Sequence, residues 1–110
     1  MVKQGWIIWL DFDPQTGHEQ KGRRPALVIS NNTFNDFSGF AFVCPITNTG
    51  KGYPFHVRLD KRTKTTGTIL CDQARTLDIN ARKYKTIEQI PDDLLNEVLD
   101  IIGGFLEPDC

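Results

Sequence analysis

Four apolar runs of four to eight residues, each ended by turn-forming or polar residues, precede the only long stretch of helical periodicity in the chain, and this order most limits the fold. The first run, GWIIWLDF over Gly5–Phe12, is rich in aromatic and β-branched residues and stops at Asp13-Pro14, so it is expected to form a strand. A polar stretch, Gln15–Arg24, leads to a second expected strand, Pro25–Ile29. Asn31–Ser38 has turn-forming residues with Phe34 and Phe37 three apart, a pattern that suits one helical turn or an irregular loop. Phe40–Thr47 (FAFVCPIT) is too apolar and too short for a surface helix and is read as a buried strand, with Pro45 marking an edge or a bulge. Phe55–Leu59 alternates with period two and is followed, after a charged turn, by Thr68–Cys71, which predicts a hairpin.

From Pro91 the pattern changes. Proline needs no N–H in a first helical turn, and Asp92 and Asp93 suit the positive end of a helix. Leu94, Leu95, Val98, Leu99, Ile101, Ile102, Phe105 and Leu106 then recur at helical spacing, a stripe broad enough to cover a sheet and still face a partner, with Gly103-Gly104 weakening its end. No internal repeat or linker interrupts the 110 residues, so residues 1–110 are expected to form one domain: a small, mostly antiparallel barrel with a C-terminal helix.

Thirteen basic and fourteen acidic side chains leave a formal charge of −1, so no global positive field marks a nucleic-acid binder and any such site has to be local. No apolar run approaches the roughly 20 residues needed to cross a bilayer, and the N-terminus lacks the pattern of an export signal, which predicts a cytoplasmic protein without membrane contact. Cys44, Cys71 and Cys110 are widely spaced with no CxxC and read as reduced thiols, the first two as small buried hydrophobes. With only His18 and His56 beside them, neither a zinc cluster nor any other metal or cofactor site is expected.

The segment His18-Glu19-Gln20-Lys21-Gly22-Arg23-Arg24 concentrates an imidazole, a carboxylate, an amide and three cations at the start of a strand. Phosphoryl transfer from an RNA 2′-hydroxyl needs a base for that proton, an acid for the leaving 5′-oxygen and donors around the charged phosphate, and the segment holds candidates for all three. Arginine keeps its charge and presents a planar fork that matches phosphate oxygens, so Arg24 or Arg23 suits charge stabilisation, while Glu19 or His18 suits proton abstraction. Solvation alone also produces polar loops between strands. A second polar group, Asp72-Gln73-Ala74-Arg75-Thr76, follows an expected strand, and Thr47 ends another, so all of these could share one face with the long loop. The plainer roles are a turn or cap for Asp72, surface positions for Gln73 and Arg75, and a strand end for Thr47. Alternation places His56 on the solvent side of its strand, and the odd spacing of Trp6 and Trp9 sends one indole inward and one outward.

Together, WLDFDPQTGHEQKGRRPALVIS, VCPIT, KGYPF, TTGTILCDQARTLD and IPDDLLNEVL resemble the MazF/PemK family of type II toxin–antitoxin systems over nearly the whole chain, and the closing half is similar to the PemK (Kid) branch. The resemblance implies a small SH3-like barrel of the CcdB/MazF/Kid type, mainly β with a C-terminal helix, paired as a homodimer. It also implies metal-independent, ribosome-independent, sequence-specific cleavage of single-stranded mRNA to 2′,3′-cyclic phosphate and 5′-hydroxyl ends. The essential arginine and threonine of MazF-type members match Arg24 and Thr47, and the neighbouring loop glutamate matches Glu19. The Kid branch assigns catalysis to residues matching His18 and Asp72 and to an arginine at a position that holds Leu70 here. Leucine neither donates a proton nor neutralises a phosphorane, so that assignment does not transfer intact. Arg24 is expected to stabilise the phosphate or protonate the leaving group, Thr47 to bond a phosphate oxygen, and Glu19 or Asp72 to help accept the 2′-hydroxyl proton.

Gln20, Lys21, Arg23, Asn48, Lys51, Gln73 and Arg75 are the expected RNA contacts by position. The implied partner is a cognate MazE/PemI-like antitoxin with an extended acidic tail that orders as it binds, and DNA is met only through the antitoxin complex. Two other readings stand beside this one. A CcdB-like toxin would inhibit a protein such as DNA gyrase without catalysis, and an RNA-binding module would bind without cutting.

Overall fold

Three of the apolar runs become the centre of one antiparallel sheet: β1 (Trp6–Asp11), β2 (Arg23–Val28) and β3 (Phe40–Thr47), with β2 between the other two. Their side chains alternate between two separate cores. Ile7, Leu27, Cys44 and Ile46 enter one, while Ile8, Leu10, Ala26, Val28, Ala41 and Val43 enter the other. Strands buried on both faces need apolar residues at successive positions, which is why these segments read as runs rather than as alternating patterns. The structure is a computed structural model and describes residues 1–12, 22–49 and 53–109.

Four shorter strands complete the sheet: β4 (His56–Arg58), β5 (Thr68–Leu70), β6 (Arg75–Asp78) and β7 (Lys85–Gln89). The order is β4-β5-β3-β2-β1-β7, with β6 paired to β3 off this path. The expected hairpin is present as β4 and β5, which register Val57 against Ile69. Pro45, expected at an edge or bulge, instead lies inside the central strand. The first half of β3 pairs with β6 up to Val43 and the second half with β5 from Ile46, so the residue without an N–H falls where one partner strand ends and the next begins.

The sheet is unclosed, and its two ends are joined by a side chain rather than by a ladder. The Glu88 carboxylate on β7 accepts hydrogen bonds from the Lys64 N–H (3.1 Å), the Thr65 N–H (2.7 Å) and the Thr65 hydroxyl (2.7 Å), in the turn between β4 and β5.

The segment left open as a helical turn or a loop is a seven-residue helix, α1 (Asn32–Ser38). The Asn31 side chain accepts from the Phe34 N–H at its start, and Gly39 ends it at φ 74°. α2 (Asp92–Phe105) closes the chain, with Pro91 as its cap residue, one position before the expected first turn. Leu94 and Val98 are buried in the first core, and Leu95, Leu99, Ile101 and Ile102 pack against it. Each fully buried side chain of this size contributes roughly 1.5–3 kcal/mol. The helix continues through Gly103-Gly104, and Phe105 and Leu106 remain exposed. Among the described residues, no helix is long and apolar enough to cross a membrane.

Candidate active site

Strand pairing brings together two residues that lie far apart in the chain. β2 and β3 register Ala26 against Pro45, and continuing this antiparallel register by two residues carries Arg24 opposite Thr47. Both line one cleft of about 380 Å³, together with Trp9, Arg23, Asn48, Lys64 and Ile87.

Thr47 is held closely. Its hydroxyl oxygen accepts from the Thr49 N–H at 3.2 Å and lies 2.9 Å from the Thr49 hydroxyl. The neighbouring Asn48 side-chain oxygen accepts from the Thr66 hydroxyl at 3.1 Å, tying the end of β3 to the turn before β5. That turn approaches so closely because position 67 has no side chain: a Cβ there would lie 2.6 Å from the Thr47 carbonyl oxygen, at φ +121°.

The described lining of this cleft holds Arg23, Arg24 and Lys64 and no carboxylate. An adjoining cleft of about 550 Å³ shares Trp9, Arg23 and Ile87 and adds Lys85. A chain with a formal charge of −1 therefore gathers a positive surface at one place.

Glu88 holds the far wall. Burial raises its pKa, but the side-chain and backbone hydrogen bonds from Thr65, with the Lys64 backbone, outweigh that and hold the carboxyl below its ordinary value of 4.5. A lowered folded pKa adds stability that is present above the ordinary value and lost as pH falls through the folded one. Glu88→Gln is therefore expected to lower the unfolding free energy measured with urea at pH 7 by about 1–2 kcal/mol, since one acceptor oxygen survives. The gap from wild type should narrow below about pH 4. A gap that is constant across the acid range would show that the charge contributes nothing.

Of the other sequence-predicted residues, Arg23 and Asn48 line the Arg24–Thr47 cleft. His18, Glu19, Gln20, Lys21 and Lys51 lie outside the described residues. Asp72 sits in a 3-10 turn (Cys71–Gln73) and lines a different, mostly apolar cleft with Ile29, Phe42, Leu99, Ile102 and Phe105. Thr68 pairs with Thr47, so Asp72, four residues further on, is on the order of 10 Å away along the strand direction. Gln73 ends the same turn, and Arg75 opens β6 opposite Val43. The shared face anticipated for this group and Thr47 is not formed among the described residues of one chain.

His56 differs from its expected solvent-facing position. Its side chain is only 7% exposed, with Nε2 3.1 Å from an Asp72 carboxylate oxygen and Nδ1 buried with no hydrogen-bond partner. β4 has only three residues, and the 3-10 turn after β5 folds back beside it, so the polar side of the alternation is covered. Cys44 and Cys71 are buried as expected. Burial raises both thiols, Cys71 to about 12, so they stay protonated at neutral pH. Trp6 packs against the second core while Trp9 lines the cleft, as their odd spacing implied.

Residues 3–106 match the family described as PemK-like, MazF-like toxin of type II toxin-antitoxin system. The chain is 42% identical over 109 residues to the endoribonuclease PemK of Escherichia coli, covering 96% of this chain and 82% of that protein. Its fold superposes on a crystal structure of MazF from Deinococcus radiodurans with a TM-score of 0.90 at 42% identity, covering 96% of both chains. It matches MazF in a MazE–MazF complex from the same organism with a TM-score of 0.83 at 35% identity, covering 98% of this chain and 97% of that one. The fold and these relatives thus define an endoribonuclease-type toxin. The chain belongs to the PemK-like, MazF-like toxin family of type II toxin–antitoxin systems.

Proposed function

We propose that this toxin cuts single-stranded mRNA in the Arg24–Thr47 cleft, at a defined sequence and without a metal ion or the ribosome. The observation that carries the reading is that Arg24 and Thr47, the latter with a hydrogen-bonded hydroxyl, line one cleft whose described lining has no carboxylate. The 2′-oxygen of one nucleotide gives up its proton and attacks the adjacent phosphorus, the bond to the 5′-oxygen breaks as that oxygen takes a proton from Arg24 or from the protonated base, and a 2′,3′-cyclic phosphate and a 5′-hydroxyl result. Arg24 balances charge on the non-bridging oxygens as it builds, and the Thr47 hydroxyl donates to one of them.

The 2′-hydroxyl proton needs an acceptor. Glu19 and His18 belong to the segment that joins Phe12 to Gly22, two residues linked by a 3.0 Å backbone hydrogen bond next to Arg23. Asp72 is remote from the cleft within one chain, which favours the loop groups as base.

A cognate antitoxin of the MazE/PemI type silences the toxin by laying an acidic segment over the same positive surface. Two toxin chains pair as a homodimer, and Phe42, Phe105 and Leu106 offer exposed apolar surface that a second chain would cover. The test is to incubate purified protein with a long single-stranded RNA in EDTA and map the products by primer extension. Discrete cuts at one recurring sequence are expected. Intact RNA across diverse sequences would overturn the reading and favour a toxin acting on a protein.

A further inference from the structure

The two positive clefts meet at Trp9. In the β1 ladders it stands opposite Pro25 on one side and Lys85 on the other, so its indole rises from the middle of paired backbone rather than from a loop. Next to it, β7 carries one extra residue: Ile7 faces Glu88 while Ile8 faces Thr86, leaving Ile87 unpaired between them. A bulge of this kind re-aims side chains. Here Ile87 lines both clefts beside Trp9, while Glu88 reaches the Thr65 turn that forms the opposite wall.

The result is a partly exposed aromatic and aliphatic wall with Arg23 and Lys85 at its side and Arg24 and Thr47 beyond it. Apolar surface framed by cations suits an unpaired nucleotide, whose base offers a π face and whose phosphate offers charge.

Building on the reading of the cleft as an RNA-cutting site, we propose that Trp9, backed by Ile87, is a stacking platform for the base of a nucleotide that flanks the scissile phosphate, with Arg23 and Lys85 holding that nucleotide's own phosphate. Every base has a π face, so the platform sets affinity and threading, and the identity of the cut sequence is read elsewhere. Trp9 is a positioning residue, and its removal acts on RNA binding rather than on the bond-breaking step.

The experiment is a thermodynamic cycle on an RNA oligonucleotide spanning a mapped cut, with one abasic nucleotide placed in turn at each flanking position. With wild-type protein, one position is expected to raise KM roughly 10- to 100-fold while kcat changes little. With Trp9→Ala, the intact oligonucleotide should show a similar rise, and the abasic change at that position should add almost nothing. Trp9→Phe should recover much of the loss. The abasic scan with wild-type protein does not depend on the variants folding. A scan in which no flanking position matters, or abasic and Trp9→Ala effects that simply multiply, would overturn the platform while leaving the cleavage reading intact. Failure of wild-type protein to cut any RNA would overturn the cleavage reading and the platform with it.

Discussion

Arg24→Ala is expected to slow single-turnover RNA cleavage on the order of 10²–10³-fold, with an unfolding midpoint close to wild type. The size follows from what is removed: a permanent charge with a planar fork, from a cleft that Thr47 also lines. Arg24→Lys should recover only part of the rate, because a point charge replaces paired donors. Thr47→Val removes one hydrogen bond to the developing charge and should cost roughly 10- to 100-fold. Arg24→Ala cleaving within a few-fold of wild type would place the chemistry elsewhere in the protein.

Gly67→Ala is expected to damage both stability and activity. The residue sits at φ +121°, and an added Cβ would lie 2.6 Å from the Thr47 carbonyl oxygen and 3.2 Å from the Asn48 side-chain oxygen. The nearest obstacle is backbone, so relief requires β5 to move away from β3 at the register of Thr68 with Thr47. Strain and lost pairing together should cost on the order of 3 kcal/mol, a fall in Tm of roughly 10–20 °C. Cleavage at a temperature where the variant is still folded should also fall, because Thr47 moves with its carbonyl. Gly39→Ala is the control. Its φ is also positive, at 74°, but nothing lies within 4 Å of the added carbon. It should cost only about 1–2 kcal/mol and leave cleavage unchanged. Equal effects of the two substitutions in both assays would show that the approach to Thr47 is unimportant.

The parts of the fold legible in the sequence are those where burial alone decides. β1, β2 and β3 show as apolar runs because both faces are covered over most of their length, Phe40 and Phe42 of β3 excepted, and α2 shows because Leu94 and Val98 recur with the rest of its stripe on one side. β6 and β7 carry almost no such signal. Leu77 is the only buried residue of β6 and β7 has none, so backbone pairing at the margins of the sheet holds them, and the bulge at Ile87 breaks what alternation remains. Alternation misplaces His56 because it reports which face a side chain uses, not what covers that face.

The site divides in the same way. Resemblance to a family singles out Arg24 and Thr47; composition around them alone favours a solvated loop. Their adjacency depends on the β2–β3 register, and the wall facing them depends on Glu88 reaching a turn 23 residues away in the chain. Lys64, Thr65 and Lys85 sit in polar segments with no local pattern to mark them, and only the wrapped sheet sets them around Trp9.

The most direct test of metal-free transfer from a ribose hydroxyl uses two oligonucleotides spanning a mapped cut, identical except for a single 2′-deoxy substitution at the nucleotide whose hydroxyl attacks, each incubated with the protein in EDTA. The all-ribose strand should be cut to a cyclic phosphate and a 5′-hydroxyl while the substituted strand stays whole. Cleavage of both strands, or of either only when magnesium is restored, would contradict the mechanism assigned to Arg24 and Thr47.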